Sequence, residues 1–421
     1  MVEILGRPSA DGLARTRWLQ LVLGVICVVA IANVQYGWTL FIKPIDQKYG
    51  WGTTAIQLTF AIAIATETFV GMPFGGRLID RFGPSLVWVS GPLIALAWYI
   101  NSFADSLALF YFAAVISGLG TGLVFAAAYS NALKWFPDRR GLATGLTAAG
   151  FAGGGVVTVV ALGSMIRSSG YEAAYLWFGL GQGIVVAVSA LLLRAPRQTE
   201  DTALVPALTN QGKHYAFGEV VRSPAFWLMY AMFVLVGAGG LMLQAQLGPI
   251  AADLTFDKVP VSILGLTMLT PVFAVSLSQV TNALSRPFFG WVSDWLGREH
   301  TMFLAFLLET FAFLAMICFA DDPVRFVVLA GLVFFAWGEI FSLFPAICTD
   351  AFGNKFASVN YGMLYTAKGV ASLLVPLSSL LKDIMGSWVA VFAVAATFNL
   401  IAAILALFLK STLKRIRARS S

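Results

Sequence analysis

The sequence predicts an all-α integral membrane protein of twelve transmembrane helices, arranged as two parallel pseudo-repeats of six. Three observations lead to this prediction. Of the 421 residues, 59% are hydrophobic and only 11% are charged, well below the roughly 25% charged content of soluble domains. The charged residues cluster between uncharged runs, and each run is long enough to cross a bilayer core, which takes about 20 residues. A motif at the end of the second run also recurs at the end of the eighth.

The apolar runs form two groups of six, and the polar segment between them predicts a linker. The chain therefore divides into an N-terminal segment 1–16, a first bundle 17–193, a linker 194–223, a second bundle 224–409 and a basic tail 410–421. The first run is too long for a signal-peptide core, so it is expected to be retained as a span. The predicted spans are 17–42, 54–78, 85–104, 107–133, 140–166, 173–193, 224–252, 261–290, 300–320, 324–349, 358–382 and 387–409.

The distribution of Lys and Arg predicts the orientation. With the N-terminus inside, 19 of these residues fall in inside segments and 6 in outside segments, so both termini are expected to be cytoplasmic. The net charge of +6 is explained by these short connections and by the tail, and it does not indicate nucleic-acid binding. Cys27, Cys318 and Cys348 fall in apolar runs without metal-ligand or disulfide spacing. We expect no cofactor and no metal.

The repeated motif links the two halves. Residues 73–83 (PFGGRLIDRFG) align without a gap on residues 287–297 (PFFGWVSDWLG), at an offset of 214. Two parallel repeats with a site between them are a transporter architecture. The G-x-x-x-D-R-x-G pattern also resembles the loop signature of the major facilitator superfamily. We assign gating of the conformational change to Asp80, Arg81 and Asp294.

Two cations lie deep within predicted spans, where a charge costs several kcal/mol unless it is paired or hydrated. Arg286 stands eight residues before Asp294, which places it about 12 Å inside the membrane. Lys368 stands about ten residues into the eleventh span, and Asn282 lies one turn from Arg286. Two cations in one half predict an anion site. The alternatives are that Arg286 either snorkels to the cytoplasmic interface or is locked to a structural acid, and that Lys368 forms a structural ion pair.

Two glutamates reach a similar depth, Glu67 in the second span and Glu339 in the tenth. Either one is a candidate carrier of a coupling proton, and the alternative is a counter-ion that neutralises Lys368 or Arg286 when no substrate is bound. Glu309 in the ninth span has no assigned role. Both histidines fall in predicted loops, which excludes a histidine proton relay inside the membrane.

Several motifs resemble the oxalate:formate antiporter family, a neighbour of the monocarboxylate transporters: VQYGWTL at 34–40, WFPDRRGLA at 135–143, TAAG at 147–150, RPF at 286–288, LFP at 343–345 and AK at 367–368. The resemblance covers most of the chain. It implies that Arg286 and Lys368 face a central cavity and neutralise a small carboxylate within an aromatic cage. It also implies that the cage wall includes Gln35, Tyr36, Trp38 and Trp337.

The sequence departs from this family at the cage. Phe125, Phe151 and Phe341 stand where the oxalate carrier has tyrosines, and Tyr365 stands where a tryptophan is expected. Fewer hydroxyl groups disfavour a compact dianion such as oxalate and favour a carboxylate with an apolar part. Asn282 replaces the acid that monocarboxylate transporters usually carry one turn before the arginine.

We therefore expect an alternating-access transporter of small organic carboxylates, of the lactate or pyruvate type, coupled to protons. The rival interpretation is carboxylate exchange against a counter-anion without a proton, and a non-transporting membrane sensor on the same fold is a further alternative. An integral membrane enzyme is disfavoured because the runs contain no cluster of catalytic side chains. The expected partners are the carboxylate, a proton or counter-anion, and membrane lipid. The resemblance implies a bacterial inner membrane.

Overall fold

The computed structural model describes residues 10–196 and 214–420. Helices dominate this part of the chain. They are α1 (Ala10–Tyr36), α2 (Thr39–Tyr49), α3 (Thr53–Thr66), α4 (Met72–Phe82), α5 (Ser90–Phe103), α6 (Leu107–Trp135), α7 (Arg140–Leu191), α8 (Phe217–Val220), α9 (Pro224–Asp253), α10 (Thr270–Leu296), α11 (Arg298–Phe319), α12 (Pro323–Trp337), α13 (Ile340–Phe352), α14 (Ala357–Leu373), α15 (Val375–Met385) and α16 (Val389–Ser420). A π-helical turn, Glu67–Gly71, joins α3 to α4, and a 3₁₀ helix, Pro84–Val89, precedes α5.

These helices make twelve passes, numbered here as spans 1 to 12. Span 1 is α1 with α2, span 2 is α3 with α4, and spans 3 and 4 are α5 and α6. Spans 5 and 6 are the two parts of α7, which turns at Gly170, where the backbone has φ 85° and ψ 163°. Spans 7, 8 and 9 are α9, α10 and α11, and span 10 is α12 with α13. Span 11 is α14 with α15, and span 12 is α16.

Ten helical stretches among the described residues are long and apolar enough to cross a membrane. Two of the twelve passes have no separate stretch of this kind. Span 5 is continuous with span 6, and span 8 carries Gln279, Asn282 and Arg286 within its length, which makes it less apolar than its neighbours. These polar side chains lower the mean hydropathy of span 8.

The structure corrects several predicted boundaries. Span 8 does not begin at 261, because residues 260–269 form a two-stranded antiparallel hairpin, Pro260–Ile263 with Leu266–Leu269. Leu264 and Gly265 turn this hairpin with positive φ angles of 52° and 81°. Span 1 begins earlier than 17 and breaks at 37–38. The predicted tail continues as helix to Ser420, and residues 197–213 of the predicted linker lie outside the described residues.

The two bundles meet closely where spans 2 and 8 end, and we call this end of the molecule the linker face. Span 2 crosses span 11 there, and span 8 crosses span 5. A Cβ atom on Gly76 would lie 2.5 Å from the carbonyl oxygen of Ser358. At Gly290, the equivalent glycine of the repeat, a Cβ atom would overlap the carbonyl oxygen of Gly141. Only glycine permits these two crossings.

The aspartates of the repeat, Asp80 and Asp294, lie one helical turn after these glycines and bind the opposite bundle. Asp80 accepts hydrogen bonds from Ser358 Oγ at 2.8 Å and from the backbone N–H of Val359 at 3.1 Å. Asp294 accepts from the backbone N–H groups of Gly141 and Leu142, both at 3.0 Å. In each case a carboxylate meets the first turn of a helix, where free N–H groups and the helix dipole favour negative charge. The linker face is therefore closed.

More ion pairs surround these contacts. Lys134 Nζ lies 3.1 Å from Asp80 Oδ1, and Arg298 pairs with both Asp294 and Asp350. Arg140 joins span 5 to Asp350 across the interface. Arg81, which the sequence suggested for gating, is exposed, and its guanidinium lies 5.1 Å from the ring centre of its neighbour Phe82.

We expect Gly290→Ala to open the linker face, because the added methyl group overlaps the backbone of span 5. The distance between spin labels at the exposed positions Phe82 and Trp295, measured by pulsed electron paramagnetic resonance, should lengthen. The matched control is Gly153→Ala in span 5, the helix that Gly290 packs against, where a Cβ atom meets nothing within 4 Å. A distance distribution identical to that of the unmodified protein would contradict this interpretation.

Candidate functional site

A small cavity lies between the bundles, with about 20 Å³ of free space. That space holds about one water molecule, so the side chains are packed closely around the site in this conformation. Seven spans contribute to its wall. The lining residues are Gln35 and Tyr36 from span 1, Phe125 and Tyr129 from span 4, Phe151 from span 5, Leu241 and Gln244 from span 7, Asn282 and Arg286 from span 8, Trp337 and Phe341 from span 10, and Tyr365 and Lys368 from span 11.

Arg286 is 3% exposed and lies across the boundary between the bundles. Its Nη1 donates to the carbonyl oxygen of Ala148 in span 5 at 2.7 Å, and its Nε donates to Asn282 Oδ1 at 3.2 Å. Its guanidinium also lies 4.5 Å from the ring centre of Phe341, within cation–π range. Asn282 therefore orients the arginine from within span 8, as their four-residue spacing allows.

Lys368 lies in a cluster of polar side chains from three spans. Its Nζ is 3.0 Å from the hydroxyl of Tyr365, 3.5 Å from Oε1 of Glu67 and 3.5 Å from Oε1 of Gln35. The Tyr365 hydroxyl donates to the same Glu67 oxygen at 3.4 Å. Tight ionic hydrogen bonds measure about 2.7–2.9 Å. The pair between Lys368 and Glu67 is therefore buried but loose.

Glu67 reaches this cluster because the helix of span 2 changes its geometry there. It opens the π-helical turn Glu67–Gly71 and is 2% exposed. Single π-helical turns occur often at functional sites, since they shift one side chain out of the regular helical position. Span 4 packs tightly against this turn at Gly118, where a Cβ atom would lie 3.0 Å from the backbone nitrogen of Glu67.

The charges of the cavity do not cancel. Arg286 and Lys368 are cationic, and Glu67 is the one acid that the described residues place in contact with either of them. With all three groups ionised, the site carries one excess positive charge. Burial makes this excess costly without a counter-ion, so the geometry fits one negative charge from a bound molecule.

Aromatic rings form the apolar part of the wall. The ring centres of Phe125 and Phe151 are 4.7 Å apart, and those of Phe125 and Tyr365 are 6.1 Å apart. Trp337 contributes its ring surface, since its indole N–H donates to the carbonyl oxygen of Val236 at 3.0 Å. These rings therefore give the wall an apolar surface beside its polar side chains.

Of the ten residues predicted from the sequence to bind substrate, nine line the cavity. Trp38 does not, because the break in span 1 turns it against Phe60, with ring centres 6.4 Å apart. Sequence reasoning missed Leu241 and Gln244, since neither has a charge or a motif that distinguishes it. Glu339 lies in span 10 between two lining residues, yet its own carboxyl group does not reach the cavity.

Comparisons with known proteins agree with this architecture. The model of the Major Facilitator Superfamily matches residues 21–376 and 243–420. The oxalate:formate antiporter of Oxalobacter formigenes is 33% identical over 371 residues, covering 87% of this chain and 84% of that protein. Monocarboxylate transporter 13 of Rattus norvegicus is 27% identical over 345 residues, covering 81% of this chain and 76% of that protein.

Solved structures show the same fold. A variant of the E. coli fucose:proton symporter FucP matches with a TM-score of 0.67 at 16% identity, covering 93% of this chain and 98% of that one. The human organic anion transporter MFSD10 matches with a TM-score of 0.66 at 14% identity, covering 95% of this chain and 100% of that one. The fold and the family resemblance predicted from the sequence are confirmed. This chain belongs to the Major Facilitator Superfamily of membrane transporters.

Proposed function

We propose that this transporter carries a small organic monocarboxylate together with a proton, by alternating access. The observation that carries the proposal is the pair of buried cations, Arg286 and Lys368, on one aromatic-lined cavity between the bundles. In this proposal the linker face is cytoplasmic, as the distribution of Lys and Arg predicts. The membrane is a bacterial inner membrane, as the bacterial source of the antiporter relative suggests.

Arg286 is proposed to bind the substrate carboxylate. Its planar guanidinium has five donors, of which Nη1 and Nε already serve Ala148 and Asn282. The others are free to form the parallel pair of hydrogen bonds that arginine makes with a carboxylate. Lys368 supplies the second charge and orients the opposite edge of the carboxylate.

The apolar wall supports a substrate with an apolar part. The rings of Phe125, Phe151 and Phe341 offer no donor to a second carboxylate. Relatives include an oxalate:formate antiporter and a monocarboxylate transporter. The side chains of this cavity favour a monocarboxylate over a dianion such as oxalate.

Glu67 is proposed to carry the coupling proton at the cavity. While Glu67 is ionised, it competes with the substrate for Lys368, from which it is 3.5 Å away. When Glu67 binds a proton, Lys368 loses its counter-ion and becomes available to the substrate carboxylate. Proton and monocarboxylate thereby enter together, since the carboxylate takes the place of the ionised Glu67 beside Lys368 and the net charge of the site stays the same.

Asp80 and Asp294 are proposed to hold the cytoplasmic face closed in this conformation, each by binding the first turn of a helix in the opposite bundle. Alternating access then requires both carboxylates to leave those N–H groups when the linker face opens. Arg81 is exposed, which suits a contact made in the other conformation.

The second candidate function is exchange of carboxylates without a proton. One observation favours it, the 33% identity to an antiporter. In that mechanism Glu67 stays ionised and serves as the counter-ion of Lys368 whenever the cavity is empty. The two functions share Arg286 and differ in the role of Glu67.

We expect Arg286→Lys to lower kcat/KM for carboxylate uptake by about tenfold or more, since a hydrogen bond to a charged group contributes about 1.5–3 kcal/mol. The measurement is uptake of labelled lactate, pyruvate, formate, oxalate and longer acids into proteoliposomes with an inward proton gradient. Arg325→Lys is the matched control, because that arginine is exposed and pairs with Asp321 outside the cavity. Equal uptake by both variants would exclude Arg286 as the carboxylate ligand.

We expect Glu67→Gln to abolish accumulation driven by the proton gradient while retaining exchange of labelled for unlabelled substrate. The neutral amide cannot release a proton, so the loaded carrier can still reorient but cannot couple. Glu172→Gln is the control, since Glu172 pairs with Lys48 at the protein surface. Accumulation by the Glu67→Gln variant that still follows the proton gradient would remove this residue from coupling. Exchange without accumulation in the unmodified protein would favour the antiport mechanism.

A further inference from the structure

A second group of buried acids lies inside the C-terminal bundle, away from the cavity. Glu309 of span 9 and Glu339 of span 10 are both 0% exposed. None of their four carboxyl oxygens has a hydrogen-bond partner. Among the described residues, no lysine or arginine forms an ion pair with either of them. Spans 9 and 10 pack against each other, which makes Glu309 the acidic neighbour of Glu339.

Asn399 of span 12 completes the group. It is 0% exposed and lies beside the carboxyl group of Glu309. Its Nδ2 donates to the carbonyl oxygen of Ala395 at 3.1 Å, and its Oδ1 has no partner. Span 7 closes the site at Gly239, where a Cβ atom would lie 3.1 Å from Asn399 Nδ2 and 3.7 Å from Phe313.

These five buried oxygen atoms have no hydrogen-bond partner, and the Asn399 amide donates to Ala395. An ionised carboxylate only accepts hydrogen bonds, whereas a protonated carboxyl group also brings one O–H donor. An isolated buried carboxylate is strongly disfavoured because it loses its hydration, and two such charges repel one another. One proton on each acid removes both charges and supplies the missing donors. A single monovalent metal ion would leave one negative charge uncompensated.

The position of Glu339 connects this group to the cavity wall. Span 10 breaks between Trp337, where α12 ends, and Ile340, where α13 begins. Gly338 in this break packs on span 8, and a Cβ atom there would lie 2.6 Å from Asn282 Oδ1. That oxygen is the acceptor for Nε of Arg286. A change at the break is therefore transmitted directly to the side chain that orients the arginine.

We propose that Glu309, Glu339 and Asn399 form a second proton-binding site, enclosed in the C-terminal bundle, whose occupancy sets the geometry of the break in span 10. Both acids hold a proton while the linker face is closed. Loss of a proton places a charge among Ala312, Phe313 and the rings of span 10, and this drives the break to rearrange. The site requires no particular substrate, so it stands apart from the proposed carboxylate transport.

The test is infrared difference spectroscopy of the purified full-length protein without substrate, across a pH titration. Protonated carboxyl groups give a carbonyl band that shifts on exchange into D₂O. We expect this band to persist at neutral pH, where exposed acids are ionised. Glu309→Gln and Glu339→Gln should each remove part of it, and the double variant should remove the rest. In the proposed mechanism Glu67 binds its proton together with the substrate, which is absent here, and Asp80, Asp294 and Asp350 each face a cation.

Asn399→Leu offers an independent measurement that leaves both acids in place. Removing the amide beside Glu309 should shift the frequency of the band without reducing its area. Arg286→Lys is the control that separates the two proposals, since it impairs carboxylate binding and should leave the band unchanged. A complete lack of the band in the unmodified protein at neutral pH, or its retention in the double variant, would overturn the proton site.

The same variants allow a measurement of the conformational change. The distance between spin labels at Phe82 and Trp295 should depend on pH in the unmodified protein and should lose that dependence in the Glu309→Gln/Glu339→Gln double variant. Glu172→Gln should keep it. Stabilisation by Na⁺ that is absent with choline and lost in the double variant would identify a metal ion as the occupant and would overturn the proton assignment.

Discussion

A charge inside the membrane must be neutralised, and this constraint organises the whole interface between the bundles. Arg286, Lys368 and Glu67 all lie where the two bundles meet, and each has a partner on the opposite side. The interface is the one place where a partner can be exchanged for a substrate without exposing the charge to lipid. The pairing of these charges therefore links binding to conformational change, whichever anion is the substrate.

The pseudo-symmetry of the two halves holds at the helix crossings but not at the side chains that line the cavity. Gly145 packs on the backbone of Arg286 and Pro287, and Gly362 packs in the same way on Met72 and Pro73. The two crossings therefore share the same packing of a glycine on the backbone of the opposite helix. The side chains that face the cavity break the symmetry, because Met72 occupies the position equivalent to Arg286.

The crossing of spans 5 and 11 shows the same asymmetry. Gly145 and Gly362 are separated by 217 residues, and the same offset relates Phe151 to Lys368. Both cations consequently come from the C-terminal bundle, while the N-terminal bundle supplies Glu67 and apolar rings. A carboxylate bound to the cations is thus held by one bundle and closed in by the other, which suits a site that faces each side of the membrane in turn.

The sequence was sufficient to predict the twelve spans, the repeat and the two cations, since each follows from hydrophobicity, self-similarity or the cost of burying a charge. It could not predict features that depend on tertiary packing. The hairpin 260–269 is apolar enough to be mistaken for the start of span 8, and its two strands are visible only once they pair. The family resemblance implies that Trp38 lines the cavity, but the rotation at the break in span 1, which has no signal in the sequence, turns it against Phe60.

Glu339 shows the same limit within the candidate site. Depth alone could not decide whether its side chain faces the cavity or the interior of the bundle, because Trp337 and Phe341 on either side both line the cavity. The break at Gly338 rotates the chain between them and turns the acid inward. Glu309 had no role on the sequence, and it acquires one only from its proximity to Glu339.

Arg286 has two tasks in the proposed mechanism, the contact between the bundles and the binding of the substrate carboxylate. In the closed state its Nη1 donates to the carbonyl oxygen of Ala148 in the opposite bundle, so the side chain is part of the contact between spans 5 and 8. When the linker face opens, that contact separates and the guanidinium loses a buried acceptor. In the proposed mechanism a bound carboxylate replaces the lost acceptor within the same cavity. The loaded carrier would then cross between conformations at lower cost than the empty one, as coupling of transport to substrate requires.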